Sequence, residues 1–421
     1  MSWVYSAGLG AFLLGLAPSV LWQMLLRGKY RRGIGERFGA VAPWQGAQSP
    51  LWLHTVSVGE AMAAAPLARL LAARHPDVPL LASTTTETGR AVAEQRIPAA
   101  RFVFFPLDFG WCVRRALRAL RPRAVLLTET ELWPNFLAAC DAEGIPAVVI
   151  NGRISPRSFP RYRLIRPWFR RVLRHVRLFC MQSAADAERI LALGAPVDRV
   201  TVTGNLKYDL PAPDHAVDRN AIRAGLAMPA GCRLVVAGSI HRGEDEPVIE
   251  AFKAAASSRS DLCLLLAPRH PERLDEVERA AARAGLACVR RSRLPGDCPK
   301  PGGAILLDTM GELARLYAIG SVVFIGGSLI PHGGQNILEP AVYGCPVLHG
   351  PHMGNFTEMR DLFQAARAAA QVADGGALSQ ALQALLDDPA EADRMGQAGR
   401  TIVEAQRGAT ARTADLVGAL L

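Results

Sequence analysis

The sequence predicts an α/β protein built from two successive Rossmann-like units, and three observations carry that reading. A chain of 421 residues exceeds one ordinary domain and suits two of about 200 residues each. Short apolar, β-branched runs alternate with Ala-, Leu- and Arg-rich helical stretches, the pattern of parallel sheets covered on both faces. A polar, Pro-containing segment, DLPAPDHAVDRN (209–220), interrupts the alternation, which then restarts.

Taken in order, residues 2–26 (SWVYSAGLGAFLLGLAPSVLWQMLL) carry no charge. At about 1.5 Å per residue, a helix of that length reaches across about 30 Å of hydrocarbon. Arg27, Lys29, Arg31, Arg32 and Arg37 follow against a single acid, Glu36, which by the positive-inside rule leaves the rest of the chain in the cytoplasm. The positive n-region and small-residue cleavage site of a secretory signal are missing. The segment therefore reads as a membrane anchor, spanning or half-inserted. Gly8, Gly10, Gly15 and Pro18 favour the plainer alternative of a buried or interfacial first helix.

Strands are predicted at 51–58, 79–85, 101–106, 124–129, 146–151, 178–182 and 200–205, and, after the linker, at 233–239, 262–268, 304–309, 321–328 and 345–350. The tail from about 376 reads as helical and able to pack on either unit. The expected divisions are an anchor over 1–27, a first unit over 28–210 and a second over 211–421. Two such units place a cleft between them, where ligands commonly bind.

Half the residues are hydrophobic and 20% are charged, which excludes a disordered chain. The net charge of +10 suits phosphorylated substrates, anionic lipid or nucleic acid alike. Arg153–Arg177 holds nine Arg and no acid, interleaved with Tyr162, Trp168 and Phe169. It reads as an amphipathic segment on anionic headgroups, against the blander reading of a solvated helix face. No nucleic-acid motif accompanies the charge. The eight Cys lie mostly in apolar runs without a CxxC pair, as expected of reduced, buried thiols in the cytosol.

In the second half, the predicted strand VVFIGGSL runs into IPHGGQNILEPAVYGCPV. A Gly-rich turn that opens a helix presents N–H groups to a phosphate, and Glu339 could accept ribose hydroxyls. Gly326-Gly327 alone would mean only a tight turn. APRHPER (267–273) and DTMGEL (308–313) lie at other strand ends of the same half. In the first half, Gly59 lets Glu60 open a helix at a sheet edge, where it is either a general base or simply a capping carboxylate. Glu129 and Glu131 lie in TETELWPN. Lys207, one of only four Lys in the chain, lies in TGNLKYD and is either a surface ammonium or an anion ligand. His241, His270, His332, His349 and His352 invite a metal, but no HExxH or DxD element accompanies them, so no metal is expected.

Together, RGKYRRGIGERFG, HTVSVGE, ETELWPN, NGRIS, TGNLKYD, AGSIHRGEDE, APRHPER, DTMGELARLY and GGSLIPHGGQNILEPA resemble the 3-deoxy-D-manno-octulosonic acid (Kdo) transferases of Gram-negative bacteria. The resemblance implies a GT-B fold of two Rossmann-like domains. It also implies metal-independent, inverting transfer of Kdo from CMP-Kdo to a lipid A precursor (lipid IVA) at the cytoplasmic face of the inner membrane, with no cofactor beyond the donor. By motif, Glu60 would be the general base, and Glu129 and Lys207 would stabilise the transition state. CMP would be held by Pro268 and Arg269, by Met310, Gly311 and Glu312, and by Asn336, Ile337, Leu338 and Glu339. Ile240 departs from the pattern, standing where the family's AGS-T-H element leads one to expect Thr. The competing readings are a GT-B transferase or epimerase that uses a UDP-sugar, and a non-catalytic nucleotide-binding membrane protein.

Overall fold

The computed structural model describes residues 2–27, 32–209, 218–297 and 299–421. Lys29 and Arg31, most of the expected linker (210–217) and Cys298 lie outside the described residues. The chain divides into two compact units, Met1–Asp209 with Gln406–Leu421, and Leu210–Ala405.

In the first unit seven strands form one parallel sheet: β1 Leu51–Thr55, β2 Leu80–Thr84, β3 Arg101–Phe104, β4 Ala124–Thr128, β5 Ala147–Gly152, β6 Leu178–Met181 and β7 Val200–Val202. They are ordered β3-β2-β1-β4-β5-β6-β7, and every predicted strand of this half is present. Both faces are covered, as continuous apolar strands require. Trp52, Phe105 and Phe136 pack on one side, and Leu51, Leu53 and the Ala-rich helix Val58–Arg74 on the other.

The second unit repeats the plan with β8 Arg233–Ile240, β9 Leu262–Pro268, β10 Cys288–Arg290, β11 Ala304–Leu306, β12 Gly320–Ile325, β13 Val347–His349 and β14 Ala369–Gln371. The order is β10-β11-β9-β8-β12-β13-β14, again parallel. Sequence reasoning missed β10 and β14. They are three-residue edge strands that complete a sheet without a full apolar run of their own.

One expected boundary is corrected. The C-terminal helix Ala409–Gly418 belongs to the first unit rather than to a second unit ending at 421. Ala409, Ala414 and Val417 join the core that contains the helix Val58–Arg74. Asp209 fixes the start of the C-terminal helix by accepting the N–H groups of Gly408 (2.7 Å) and Thr410 (2.5 Å).

The apolar N-terminal segment forms a helix, Ser2–Arg27. Its Ser6 Oγ accepts from Asn135 Nδ2 at 3.0 Å, and the Tyr5 and Trp168 ring centroids lie 6.2 Å apart. Phe12, Leu14 and Trp22 are exposed. Among the described residues, no helix is long and apolar enough to cross a membrane. In the Arg-rich segment the aromatic residues serve the core. Tyr162 and Trp168 pack against the core and Phe169 is buried, because these aromatics anchor two short helices (Phe159–Leu164 and Arg166–Leu173) onto the sheet. The exposed apolar residues there are Leu164 and Ile165, at the corner between those helices. Seven described Cys are free and six of them are buried; burial pushes the Cys112 thiol up to about 11.

Candidate active site

In the first unit, three predicted site residues arrive at the carboxyl edge of the sheet from separate strand ends. Ser57 caps the helix Val58–Arg74, accepting the Glu60 N–H at 3.3 Å, and its hydroxyl donates back to Glu60 Oε1 at 3.1 Å. Glu60 Oε2 accepts the Val56 N–H (2.7 Å) and the Thr128 hydroxyl (2.5 Å). The capping reading is thus part of the answer. These bonds use three of the roughly four acceptor positions of a carboxylate and leave one open on Oε1. Thr128 closes β4, and its Oγ1 also lies 3.0 Å from the His54 carbonyl oxygen.

The next residue, Glu129, has φ +54°, a left-handed conformation uncommon outside Gly, held by its N–H donating to Ile150 O. That turn brings its carboxylate to the Lys207 ammonium (3.1 Å) and to the Arg153 guanidinium (4.0 Å). Lys207 is positioned by a side-chain relay. Asn151 Oδ1 accepts the Leu206 N–H, Gln182 Nε2 donates to Asn151 O, and Asn205 Nδ2 donates to Gln182 Oε1. The surface-ammonium reading of Lys207 therefore fails: it is mostly buried and paired.

Glu131 stands beside these groups. Burial first, then the Glu60 and Glu129 carboxylates, pushes its carboxyl up to about 7. The sequence exposed Glu131 as a carboxylate but gave it no role. Thr128 and Arg153 carried no local signal, since their partners lie 68 and 24 residues away.

In the second unit, the predicted nucleotide residues also fall at carboxyl strand ends. Pro268 closes β9, and the Arg269 N–H donates to Ile240 O at 3.0 Å. Met310 is exposed, and Gly311 has φ +84° with open space where a Cβ would stand. Glu312 is engaged by Arg291 Nε (3.1 Å) and Nη2 (3.2 Å). Ile337 and Leu338 are buried in full, so only their backbone can meet a ligand. Asn336 Nδ2 donates to Glu339 Oε1 at 3.2 Å, and burial raises the Glu339 carboxyl. His349 is buried; the His241, His270 and His332 rings lie near one another, with His241–His332 centroids at 3.9 Å. Among the described residues, no group of three His, Cys, Asp or Glu side chains is arranged to hold a metal ion.

Glu244 is the residue that sequence reasoning left without a role. Fully buried, it accepts the N–H groups of His241 (2.9 Å) and Gly327 (2.6 Å) on Oε2, and of Ser328 and Leu329 (both 2.9 Å) on Oε1. One carboxylate thereby ties the loop after β8 to the Gly-rich loop after β12. The Ile240 departure is resolved by a bulge. Ser239 has φ +55°, the pairing with β9 shifts there, and the next side chain turns into the core, where Ile240 is fully buried.

Residues 32–210 match the family described as 3-deoxy-D-manno-octulosonic-acid transferase (kdotransferase). The 3-deoxy-D-manno-octulosonic acid transferase of Bordetella pertussis is 37% identical, the match covering 96% of each chain. That of Haemophilus influenzae is 33% identical over 92% of this chain and 91% of its own. A glycosyltransferase structure from Rickettsia africae superimposes with a TM-score of 0.56 at 11% identity, covering 89% of this chain and 99% of that one, a likeness of fold.

Proposed function

The chain belongs to the 3-deoxy-D-manno-octulosonic acid transferase family, with the GT-B fold, and from that premise we propose that it moves Kdo from CMP-Kdo to a lipid A precursor in lipopolysaccharide synthesis. The observation that carries the reading is the convergence of Glu60, Glu129 and Lys207 at one sheet edge. Glu60 accepts the proton of the acceptor hydroxyl through the open position on Oε1. The freed oxygen attacks the anomeric carbon from the face opposite the phosphate, the C–O bond to phosphate breaks, and CMP departs with the bonding pair. One bond forms, one breaks, and configuration inverts.

Thr128 accommodates both states of Glu60. While Glu60 is ionised, the Thr128 hydroxyl donates to Oε2. Once Oε1 of Glu60 holds the proton, Oε2 carries little charge and the hydroxyl is free to turn to His54 O, its other acceptor. Lys207, held by Glu129, supplies a fixed positive charge for the anionic donor, which needs no reorganisation at the moment of reaction. No cofactor is invoked. The nucleotide falls to Pro268, Arg269, Met310–Glu312 and Asn336–Glu339, with N–H groups as the contacts of the buried pair.

The acceptor is an anionic lipid in this reading, and the protein works on the cytoplasmic face of the inner membrane. Support comes from the exposed Phe12, Leu14 and Trp22 on the N-terminal helix, from Leu164 and Ile165, and from the surrounding Arg residues. The test is incubation of detergent-purified protein with CMP-Kdo and tetraacylated lipid A precursor, the lipid product being weighed by mass spectrometry. A gain in Kdo units is expected. With Glu60→Ala, transfer is lost while CMP still binds. Equal loss of CMP binding would remove the base assignment, and stronger competition by UDP than by CMP would remove the donor.

A further inference from the structure

Three strand-end loops of the second unit bring His241, His270 and His332 together. They follow β8, β9 and β12, and β8 is the strand at which the chain order reverses, the usual ligand crevice of such sheets. The His241 ring is buried. Its centroid lies 3.9 Å from that of His332 at 37° and 5.3 Å from that of His270 at 82°. Gln335 Nε2 donates to His241 Nε2 at 3.1 Å. Gly327 makes the approach possible: it has φ +67°, and a Cβ there would stand 3.1 Å from the ring.

Basic groups crowd His241. Arg269 and Arg273 face His241 together with the two other imidazoles. Of the nearby acids, Glu272 lies 3.7 Å from His270 Nδ1, and the others are engaged away from His241: Glu244 by four backbone N–H groups, Asp245 by Arg273 and Glu276 by Arg242. Burial first, and then these imidazoles and guanidiniums, hold His241 down at about 4. Rings set tilted and edge-on to one another, one nitrogen already bonded to Gln335, do not converge on a point as metal ligands must. They do present N–H donors on a cationic floor, beside the Gly-rich loop whose register Glu244 fixes.

We propose that His241, His332 and Gln335 form the seat of the nucleotide's phosphate and that this seat takes up a proton as the phosphate binds. An anion cancels the repulsion among the cationic neighbours, so His241 gains a proton at Nε2 and the Gln335 amide turns to accept from it. The proton leaves again with the nucleotide, which couples product release to pH. The proposal rests on the donor reading above and deepens it.

The experiment is calorimetric titration of the full chain in detergent at pH 7 with CMP and with cytidine, in two buffers of different ionisation enthalpy. CMP binding is expected to take up protons and cytidine binding is not; the phosphate's own second ionisation, near 6, releases protons and cannot mimic this. His332→Ala, at an exposed position, should lower CMP affinity about tenfold, leave cytidine affinity unchanged and reduce the uptake; His241→Gln should abolish the uptake. Equal weakening of both ligands by His332→Ala, or no proton uptake in the wild type, overturns the seat. Should the wild type bind no CMP, the donor reading fails, and the seat is judged on inorganic phosphate alone. Loss of phosphate binding in His332→Ala then supports it, and unchanged or absent phosphate binding overturns it.

Discussion

Replacing Glu244 by Gln tests how the second unit holds its Gly-rich loop. The carboxylate takes two N–H groups on each oxygen and is fully buried. A Gln of the same shape has one oxygen, so two backbone N–H groups then face an NH2 instead of an acceptor. A buried donor left without a partner costs about 1–3 kcal/mol, giving about 2–6 kcal/mol for the pair. For a unit of this size each kcal/mol moves the melting temperature by about 2–4 °C, so the middle of that range predicts a loss of about 8–16 °C. Urea and thermal unfolding followed by circular dichroism read it directly, with CMP affinity measured alongside. Glu250→Gln is the control; it removes a surface ion pair with Lys253 and should cost under about 1 kcal/mol. If Glu244→Gln unfolds within about 1 kcal/mol of the wild type, the four N–H groups do not depend on the carboxylate and the argument for the clamp fails.

Thr128→Val removes a donor to Glu60 without changing side-chain volume; transfer should fall about 10–100-fold with CMP affinity intact, and an unchanged rate would dismiss the two-state hydroxyl. Glu131 titrates near 7, so above that pH it adds a third negative charge where an anionic donor must sit; kcat/KM should decline as pH rises through 7, and Glu131→Gln should hold the rate up, which a pH–rate profile decides. Asp108 is buried, accepts the N–H groups of Asn135 and Phe136, and has its carboxyl raised to about 7 by burial. Its stabilising contribution is complete below its unfolded value near 4 and is lost as pH rises through 7, so the stability difference between wild type and Asp108→Asn should shrink over that window; urea midpoints showing the opposite slope would count against the assignment. Gly326→Ala places a Cβ 2.4 Å from Ser239 O and 2.5 Å from Ile240 Cα, both backbone, and should destabilise the second unit by several kcal/mol; a wild-type melting temperature would show that the loop yields.

The sequence by itself determined the alternation of strands and helices and the repeat of that plan, because an apolar parallel strand needs cover on both faces and writes that need into consecutive residues. It also singled out the candidate site residues Glu60 and Lys207, since motifs such as VSVGE and NLKYD are local. Only the tertiary structure decided the roles that depend on distant partners. Lys207 reads as a surface ammonium until Glu129, 78 residues away, pairs with it. Glu244 reads as one acid in an acidic run until the turn after β12, 83–85 residues later, supplies three N–H groups. Tyr162, Trp168 and Phe169 read as the apolar side of a lipid-facing stripe until they find the core. The C-terminal helix could have packed on either unit, and what assigns it to the first is the fit of Ala409, Ala414 and Val417 to an existing apolar face and the acceptor offered by Asp209. Hydrogen bonds and packing are satisfied in space rather than along the chain, so the residues whose work is to join separate loops leave no mark in their own neighbourhood.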